Sequence, residues 1–247
     1  EKGMRTMPIH KNELGQEVGF PIPNWTPPEA PARLPLVGRS CRVGPLSVAD
    51  YGASLFEAFL ADGGDQDWSY LPYGPFATVD DFEAWLRATC LSGEPLFFAI
   101  VDAASGAALG MAAYLNINRT YGTIEVGHIH FAPSLQNSRA SSEAMYLMMG
   151  HAFETGYRRY EWKCNMLNTR SRRAAQRFGF SYEGIFRQHM VVRGENRDSA
   201  WYACVDGEWP QLKTAFETWL DQANFDTDGC LVERLSDLTR PILVATD

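Results

Sequence analysis

The sequence predicts a three-layer α+β protein in which helices cover both faces of a mixed, mostly antiparallel central sheet. Three apolar strands, at 95–101, 107–114 and 123–131, follow one another with only short polar turns between them, and strands joined in this way pair antiparallel. A helix then separates the third strand from a fourth at 157–164. Because a strand reached through a helix lies parallel to its predecessor, the sheet contains one parallel pair.

Two helices precede these strands. A first strand at 38–46 leads into a helix capped by Ser47, and Thr78 opens a second helix. The segment between the helices, 63–76, is a turn-rich loop that carries several aromatic rings. Such rings either line a substrate pocket or fold back onto the core, and both interpretations stay open. The candidates for substrate contact are Trp68, Tyr70 and Tyr73.

The chain after the fourth strand predicts three further elements. A short arginine-rich helix covers 168–178, a hairpin joins 180–192 to 198–205 through the turn Arg193–Asn196, and another helix covers 212–223. Basic residues crowd the thirty residues or so after the helix that precedes the fourth strand, and this basic cluster predicts either a site for an anionic ligand or a solvated helix face. Its members are Arg158, Arg159, Lys163, Arg170, Arg172, Arg173, Arg177 and Arg187.

Composition divides the chain into an arm, one domain and a tail. Residues 1–38 hold seven of the fourteen prolines and show no sustained periodicity, so we expect an extended arm. Residues 39–210 form the predicted main domain, and 211–247 form a C-terminal helix and tail.

Charge and cysteine content limit the classes of function. A formal net charge of −8 argues against a protein that mainly binds nucleic acid, since phosphate binding needs a basic surface. No apolar run is long enough for a membrane helix, and the five cysteines are scattered without a CxxC pair. We therefore expect a soluble, cytoplasmic protein with reduced cysteines and no membrane or nucleic-acid partner.

The stretch 123–150 reads as a strand, a polar loop and a helix. Backbone N–H groups that open a helix can hold an anion, although any strand–loop–helix unit offers the same groups without using them. Period-two alternation places four side chains on one strand face, namely Ile124, Val126, His128 and His130. Two histidines without further ligands nearby do not make a metal site, so we expect no metal.

In this order of elements, the sequence resembles the GNAT superfamily of acetyl-CoA-dependent N-acetyltransferases, most closely the branch of ribosomal-protein N-terminal acetyltransferases. The resemblance covers roughly Leu36 to Pro210. It rests on a combination of motifs in sequence order, which are Ile124–Gly127, the loop and helix start Gln136–Ala144, Asn168–Ser171, Phe178–Phe180 and Glu183–Gly184.

The resemblance implies a site for acetyl-CoA as co-substrate. The family's pantetheine arm lies in a gap that a bulge opens between the strand containing Glu125 and the strand at 157–164, so the predicted parallel pair is splayed there. Arg139 stands at a family glycine position, where positive φ is less accessible to it. Its guanidinium is expected either to contact phosphate or to point to solvent. The implied coenzyme-binding residues are Ile129, His130, Phe131, Gln136, Asn137, Ser138, Arg139, Ala140, Ser141, Asn168 and Ser171.

Acetyl transfer to an amine needs a base for the amine, a donor to the thioester carbonyl and an acid for the thiolate. Glu125 is the candidate base, or else a carboxylate that orients a strand or binds substrate. Many family members carry an acidic tyrosine where this sequence has Ala175, so Ser171 is the candidate acid here. Alternatively, Ser171 only makes a capping bond at the start of a helix. The backbone between Gly127 and Ile129 would polarise the carbonyl.

The expected activity is direct acetyl transfer from acetyl-CoA to a primary amine of a small molecule or of a peptide or protein N-terminus. A covalent route through Cys164 is an alternative mechanism. A non-catalytic acyl-CoA-binding module and an antibiotic-modifying acetyltransferase are the alternative functions. The resemblance also makes a homodimer a reasonable expectation.

Overall fold

The computed structural model describes residues 9–61, 65–225 and 231–247. Cys230, the first eight residues of the predicted arm and the residues before Asp65 in the aromatic loop lie outside the described residues. Within the described ranges the strands are β1 (Ile9–Lys11), β2 (Glu17–Gly19), β3 (Leu36–Val37), β4 (Cys41–Pro45), β5 (Leu96–Asp102), β6 (Ala108–Asn118), β7 (Thr123–Phe131), β8 (Arg159–Asn165), β9 (Ser181–Val192) and β10 (Glu195–Val205). The α-helices there are α1 (Val48–Leu60), α2 (Val79–Trp85), α3 (Arg139–Glu154), α4 (Thr169–Arg177), α5 (Trp209–Leu220) and α6 (Leu235–Thr239).

Strands β3 to β10 form one sheet in the order β3-β4-β5-β6-β7-β8-β10-β9. Every neighbouring pair is antiparallel except β7 and β8, which are parallel because α3 connects them. The predicted fold class is confirmed, including the single parallel pair.

Two apolar cores cover the two faces of the sheet. One face packs on α1, α2 and the turn after α2, through Phe59, Phe82 and Phe97. The other packs on α3, α4 and α5, through Met148 and Phe216. Because β5 and β6 send alternate side chains into the two cores, they are buried on both faces.

The hairpin turn between β9 and β10 is shorter than predicted. Glu195 and Asn196 belong to β10, and only Arg193 and Gly194 form the turn, with φ of 53° and 81°. Two consecutive left-handed residues match the twist of the flanking strands, so a two-residue turn is favoured over the predicted four-residue one.

The segments outside the sheet are more ordered than the composition suggested. Residues 9–19 form the hairpin β1–β2, and the chain after it is fixed to the domain by Trp25, whose indole donates to the Thr120 carbonyl at 3.1 Å. At the other end, α6 follows α5, and the Tyr182 N–H donates to the Ala245 carbonyl at 3.1 Å.

No helix in the described ranges is long and apolar enough to cross a membrane. The four cysteines that the structure describes are buried and unpaired, namely Cys41, Cys90, Cys164 and Cys204.

A buried carboxylate joins α3 to the first strands. Glu143 accepts hydrogen bonds from the N–H groups of Arg39, Ser40 and Cys41 at 2.9, 2.5 and 3.1 Å. A Cβ at Gly38 would lie 2.4 Å from the Glu143 carboxyl carbon, so only glycine allows this approach. Charge-assisted bonds to three backbone donors fix the start of β4 against α3.

We predict that Glu143→Gln destabilises the fold by about 2 kcal/mol, because an amide offers the three donors only one uncharged oxygen. Urea unfolding followed by circular dichroism measures the change. Glu154→Gln is the matched control on the same helix, where the side chain is 66% exposed and its partner Lys213 is 3.5 Å away, so it should change stability by less than ~0.5 kcal/mol. Equal effects of the two substitutions would contradict the anchoring role.

Candidate active site

A β-bulge in the middle of β7 shapes the site. Met111 of β6 opposes His130 and Ala113 opposes Gly127, so two residues of β7 face one residue of β6. His128, inside the bulge, has φ of 51°, a left-handed conformation. The extra residue bends the strand and locally interrupts its ladder.

The bulge makes the predicted alternation of β7 wrong. Ile124 and Val126 lie in the core under α3, whereas His130 stacks on Trp68 with ring centroids 3.9 Å apart, on the opposite face. His128 likewise packs against Phe97 of that opposite core. One additional residue inverts the period-two pattern after it, so the four residues do not share a face.

Strands β7 and β8 separate beyond the bulge. Their parallel ladder pairs Thr123–Val126 with Arg159–Trp162 and ends there. Strand β8 remains paired with β10 as far as Asn165, which opposes Ser199. The second half of β7 therefore leaves a gap beside β8, and the residues of 127–131 border it.

Tyr73 of the aromatic loop holds the bulge. Its hydroxyl is 3.0 Å from His128 Nδ1, and the two rings stack at 5.6 Å. Burial, followed by the nearby charge of Arg197, lowers the pKa of His128 to about 4. A neutral imidazole can accept the phenol's hydrogen bond, so the ring is fixed at neutral pH.

The other two aromatic candidates contact different parts of the fold. Trp68 is 5% exposed and belongs to the core, where its edge also meets Phe59. Tyr70 is 39% exposed, and its hydroxyl donates to the Leu167 carbonyl at 3.2 Å. Trp68 also meets the Tyr73 ring at 6.2 Å, so these two rings pack together beside the bulge, whereas Tyr70 contacts the loop before α4.

The start of α3 presents free backbone donors. Asn137 takes the left-handed conformation, with φ of 57°, and Ser138 is the N-cap whose hydroxyl accepts from the Ser141 N–H at 3.0 Å. The N–H groups of Asn137, Arg139 and Ala140 have no acceptor within the described part of the chain. Three donors at a helix N-terminus suit an anion.

Arg139 occupies the first turn of α3 and has helical backbone geometry. The left-handed residue of this loop is Asn137, so Arg139 does not need a positive φ. Its guanidinium carbon lies 3.5 Å from the ring centroid of Phe225. The side chain therefore stacks on an aromatic ring instead of pointing into solvent.

Gln136 and Asn168 are engaged within the protein. The Gln136 side-chain amide donates to the Phe131 carbonyl at 3.0 Å and lies 3.4 Å from Asp67. Asn168 is the N-cap of α4, where its Oδ1 accepts from the Ser171 N–H at 3.0 Å.

Glu125 is buried at the end of the paired part of β7. Its Oε2 accepts from Lys163 Nζ at 2.8 Å and from the Asn116 amide at 2.7 Å. Burial raises the pKa of Glu125, while the Lys163 charge and the hydrogen bonds oppose the rise. Its Oε1 has no hydrogen-bond donor among the described residues and lies 3.6 Å from the position of a Cβ on Gly127.

Ser171 lies on the opposite face of β8 from Lys163. Its Oγ accepts from the Trp162 indole at 3.0 Å. Cys164, two residues further along β8, is buried, and burial raises the pKa of its thiol although Ser171 hydrogen-bonds it.

The sequence reading missed the partners of Glu125. In the sequence Lys163 is one member of the basic cluster, and Asn116 lies beyond the predicted strand 107–114 although it belongs to β6. The alternation of 159–165 could have placed Glu161 and Lys163 on one face, and the parallel pairing could have placed that face beside Glu125.

Most of the basic cluster is dispersed into separate contacts. Arg159 binds Glu161 and Glu183, Arg170 lies 3.5 Å from Asp67, and Arg172 lies 2.7 Å from Asp247. No group of histidine, cysteine and acidic side chains in the described ranges could hold a metal ion.

The family model that matches the sequence is described as an acetyltransferase (GNAT) domain and spans residues 43–181. A GCN5-related N-acetyltransferase from Brucella melitensis shares 44% identity, with 89% of this chain and 100% of that chain covered at a TM-score of 0.86. A probable acetyltransferase of the GNAT family from Chromobacterium violaceum shares 37% identity over 78% and 96% of the two chains, with a TM-score of 0.73.

A more distant structure, the microcin C7 self-immunity acetyltransferase MccE in complex with acetyl-CoA and AMP, shares the fold at 16% identity and a TM-score of 0.59, covering 68% of this chain and 93% of that one. Among curated proteins, none matches this chain. The chain belongs to the GNAT family of acetyltransferases, which are acyl-transfer enzymes. The family resemblance of the sequence is thereby confirmed.

We predict that Arg139→Pro weakens acetyl-CoA binding about tenfold more than Arg139→Ala, because proline also removes the backbone donor. Proline is tolerated at the first helical position, and Ser138, with φ of −84° and ψ of 167°, is compatible with a following proline. Isothermal titration calorimetry measures both affinities, with urea unfolding as the folding control. Equal affinities in two folded variants would contradict a role for this N–H group.

Proposed function

We propose that this protein transfers an acetyl group from acetyl-CoA directly to a primary amine. The observation that carries the proposal is Glu125, a buried carboxylate on β7 beside the gap, with one oxygen free of donors. Family membership supports acyl transfer in general, and the geometry of Glu125 supports amine deprotonation in particular.

The residues at the gap fit the coenzyme. The N–H groups of Asn137, Arg139 and Ala140 suit the pyrophosphate, and the separated ends of β7 and β8 leave room for an extended arm. Acetyl-CoA supplies the acetyl thioester when bound. The remaining coenzyme-binding residues of the sequence prediction, including Ile129, stay predictions.

Glu125 accepts the proton of the amine. Lys163 and Asn116 both bind Oε2, so Oε1 is the oxygen available to the acceptor. A raised pKa makes this carboxylate a stronger base than an exposed one, while Lys163 keeps enough of it ionised to act. A Cβ on Gly127 would lie 2.9 Å from a Leu115 methyl group and 3.6 Å from Oε1, so glycine avoids crowding at this position.

Ser171 supplies the proton for the departing sulfur. An indole N–H can only donate, so the 3.0 Å contact makes Ser171 Oγ an acceptor from Trp162. Its own hydroxyl is hydrogen-bonded to the Cys164 thiol, and the departing sulfur would replace that thiol as the acceptor. Asn168 fixes the start of α4 by capping the Ser171 N–H. This arrangement gives Ser171 a defined donor direction without a neighbouring tyrosine.

Direct transfer is favoured over an acetyl-cysteine route. The nucleophilic form of cysteine is the thiolate, and burial raises the pKa of Cys164. Its thiol is therefore protonated at neutral pH, and no histidine of the described residues bonds to it.

A screen of amines for release of free thiol from acetyl-CoA tests this function. The expected result is acceptor-dependent thiol release with a matching N-acetylated product in the mass spectrum. Acetyl-CoA binding without turnover of any amine, peptide or aminoglycoside would favour a non-catalytic binding module. Absence of acetyl-CoA binding in calorimetry would refute the proposal.

We predict that activity falls as pH drops through the raised pKa of Glu125, because only its ionised form accepts the amine proton. Glu125→Gln should lower kcat by about 10²- to 10⁴-fold and remove this acidic limb from the profile. The profile of kcat against pH measures both effects.

The matched control for this substitution is Glu183→Gln, at the far end of the same row of ion pairs, where Glu183 binds Arg159 at 2.6 Å. This variant should keep the acidic limb. If Glu125→Gln retained the limb with an unchanged kcat, Glu125 would not be the base.

A further inference from the structure

Arg197, whose charge interacts with that of Glu125, forms no ion pair with a carboxylate of the residues that the structure describes. In the ladder of β8 with β10, Trp201 opposes Lys163 and Ser199 opposes Asn165, so Ser199 and Trp201 share the sheet face of Lys163 and Glu125. Arg197 lies two residues before Ser199 on β10, beyond the last pair with β8. It is therefore on the same face, near the open end of the gap.

The neighbouring cations on this face are all paired. Arg159 lies 2.7 Å from Glu161 and 2.6 Å from Glu183. Lys163 lies 2.8 Å from Glu125 and 3.1 Å from Glu161, and its ammonium is 3.8 Å from the Trp201 ring centroid. Each of these cations is satisfied by protein groups alone.

Arg197 differs from them in its contacts. Its Nε donates to Ser199 Oγ at 3.2 Å, and within the described ranges its two terminal nitrogens have no hydrogen-bond acceptor. The side chain is half-buried, and burial lowers the pKa of the guanidinium. A partly desolvated guanidinium without an acceptor is costly unless a ligand supplies one.

The protein fixes this side chain from behind. Ser199 is fully buried, and its Oγ lies 2.9 Å from His189 Nδ1. Gln188 adopts a left-handed conformation, with φ of 51°, and its N–H donates to Asp198 Oδ1 at 2.7 Å. This irregularity in β9 shifts the register opposite Arg197 and Ser199. The Nε end is therefore held by a serine that is itself fixed.

The charge of Arg197 also acts on three groups beside the gap. Its charge lowers the pKa of His128 in the bulge and interacts with the charges of Glu125 and Cys164. These groups border the gap on both of its strands. The free donors that suit the coenzyme pyrophosphate lie instead at the start of α3, which packs on the other face of the sheet.

We propose that Arg197 binds an anionic group of the acceptor, so that the acceptor is a primary amine carrying a carboxylate or phosphate close to its nitrogen. This inference rests on the proposed function. A negative group at Glu125 and a positive group at Arg197 match the ammonium and the anion of such a molecule. A guanidinium can bind either oxyanion through two parallel N–H bonds.

Matched acceptor pairs test this assignment. The value of kcat/KM is measured for a panel of α-amino acids, their carboxamides and their aminophosphonate analogues, with binding of each to the CoA-saturated protein followed by calorimetry. Wild-type protein should prefer the anionic member of a pair by about 10- to 100-fold. The carboxylate and phosphonate arms distinguish the two sources of the anion.

Arg197→Gln should reduce the preference between acid and amide to about one while leaving acetyl-CoA affinity unchanged, and Arg197→Lys should restore part of it. Arg187→Gln, an exposed arginine on β9, is the matched control and should keep the wild-type ratio. Each ratio is taken within one protein, so a partly unfolded preparation does not alter it.

Three outcomes overturn the assignment. The first is an equal kcat/KM for acid and amide in the wild-type protein. The second is an equal loss of activity on acid and amide in Arg197→Gln. The third is that neither acid nor amide binds to the wild-type protein. Arg197-dependent binding of the anionic member without acetylation would support the anion site and refute the proposed transfer.

Discussion

The bulge at His128 is the constraint on which the site depends. One extra residue in β7 bends the strand away from β8 and ends their ladder at Val126 and Trp162. The same residue inverts the alternation of side chains, so His130 lies on the sheet face opposite to Ile124 and Val126. The Tyr73 hydroxyl contacts His128, which has a backbone conformation that few residues adopt. The aromatic loop therefore helps to hold the gap open.

Ion pairs beside the gap hold the side chain of Glu125 in position. Arg159, Glu161, Lys163 and Glu125 alternate in charge along neighbouring strands, and each carboxylate lies within salt-bridge distance of a cation. Such pairing makes it possible to bury a carboxylate without leaving it unsatisfied. Glu125, the proposed base, is therefore desolvated while it stays oriented by Lys163 and Asn116.

The sequence determined much of the fold and less of the site. The antiparallel run of β5, β6 and β7 and the parallel pair followed from the connections between strands, and helix starts followed from capping residues such as Ser47 and Thr78. The position of β10 between β8 and β9 was not predicted. The bulge was not readable from alternation, because a pattern of period two gives no sign of an inserted residue. The left-handed position fell on Asn137, which tolerates it better than Arg139 does. The unpaired state of Arg197 depends on contacts across three strands, which no local pattern reports.

A structure with acetyl-CoA bound would show whether the gap between β7 and β8 holds the coenzyme. We expect the pyrophosphate oxygens to accept hydrogen bonds from the N–H groups of Arg139 and Ala140. We also expect the pantetheine arm to lie between the separated ends of β7 and β8, with the thioester near Gly127 and Glu125. A coenzyme bound elsewhere, with those strand ends closed against each other, would refute the proposed coenzyme site.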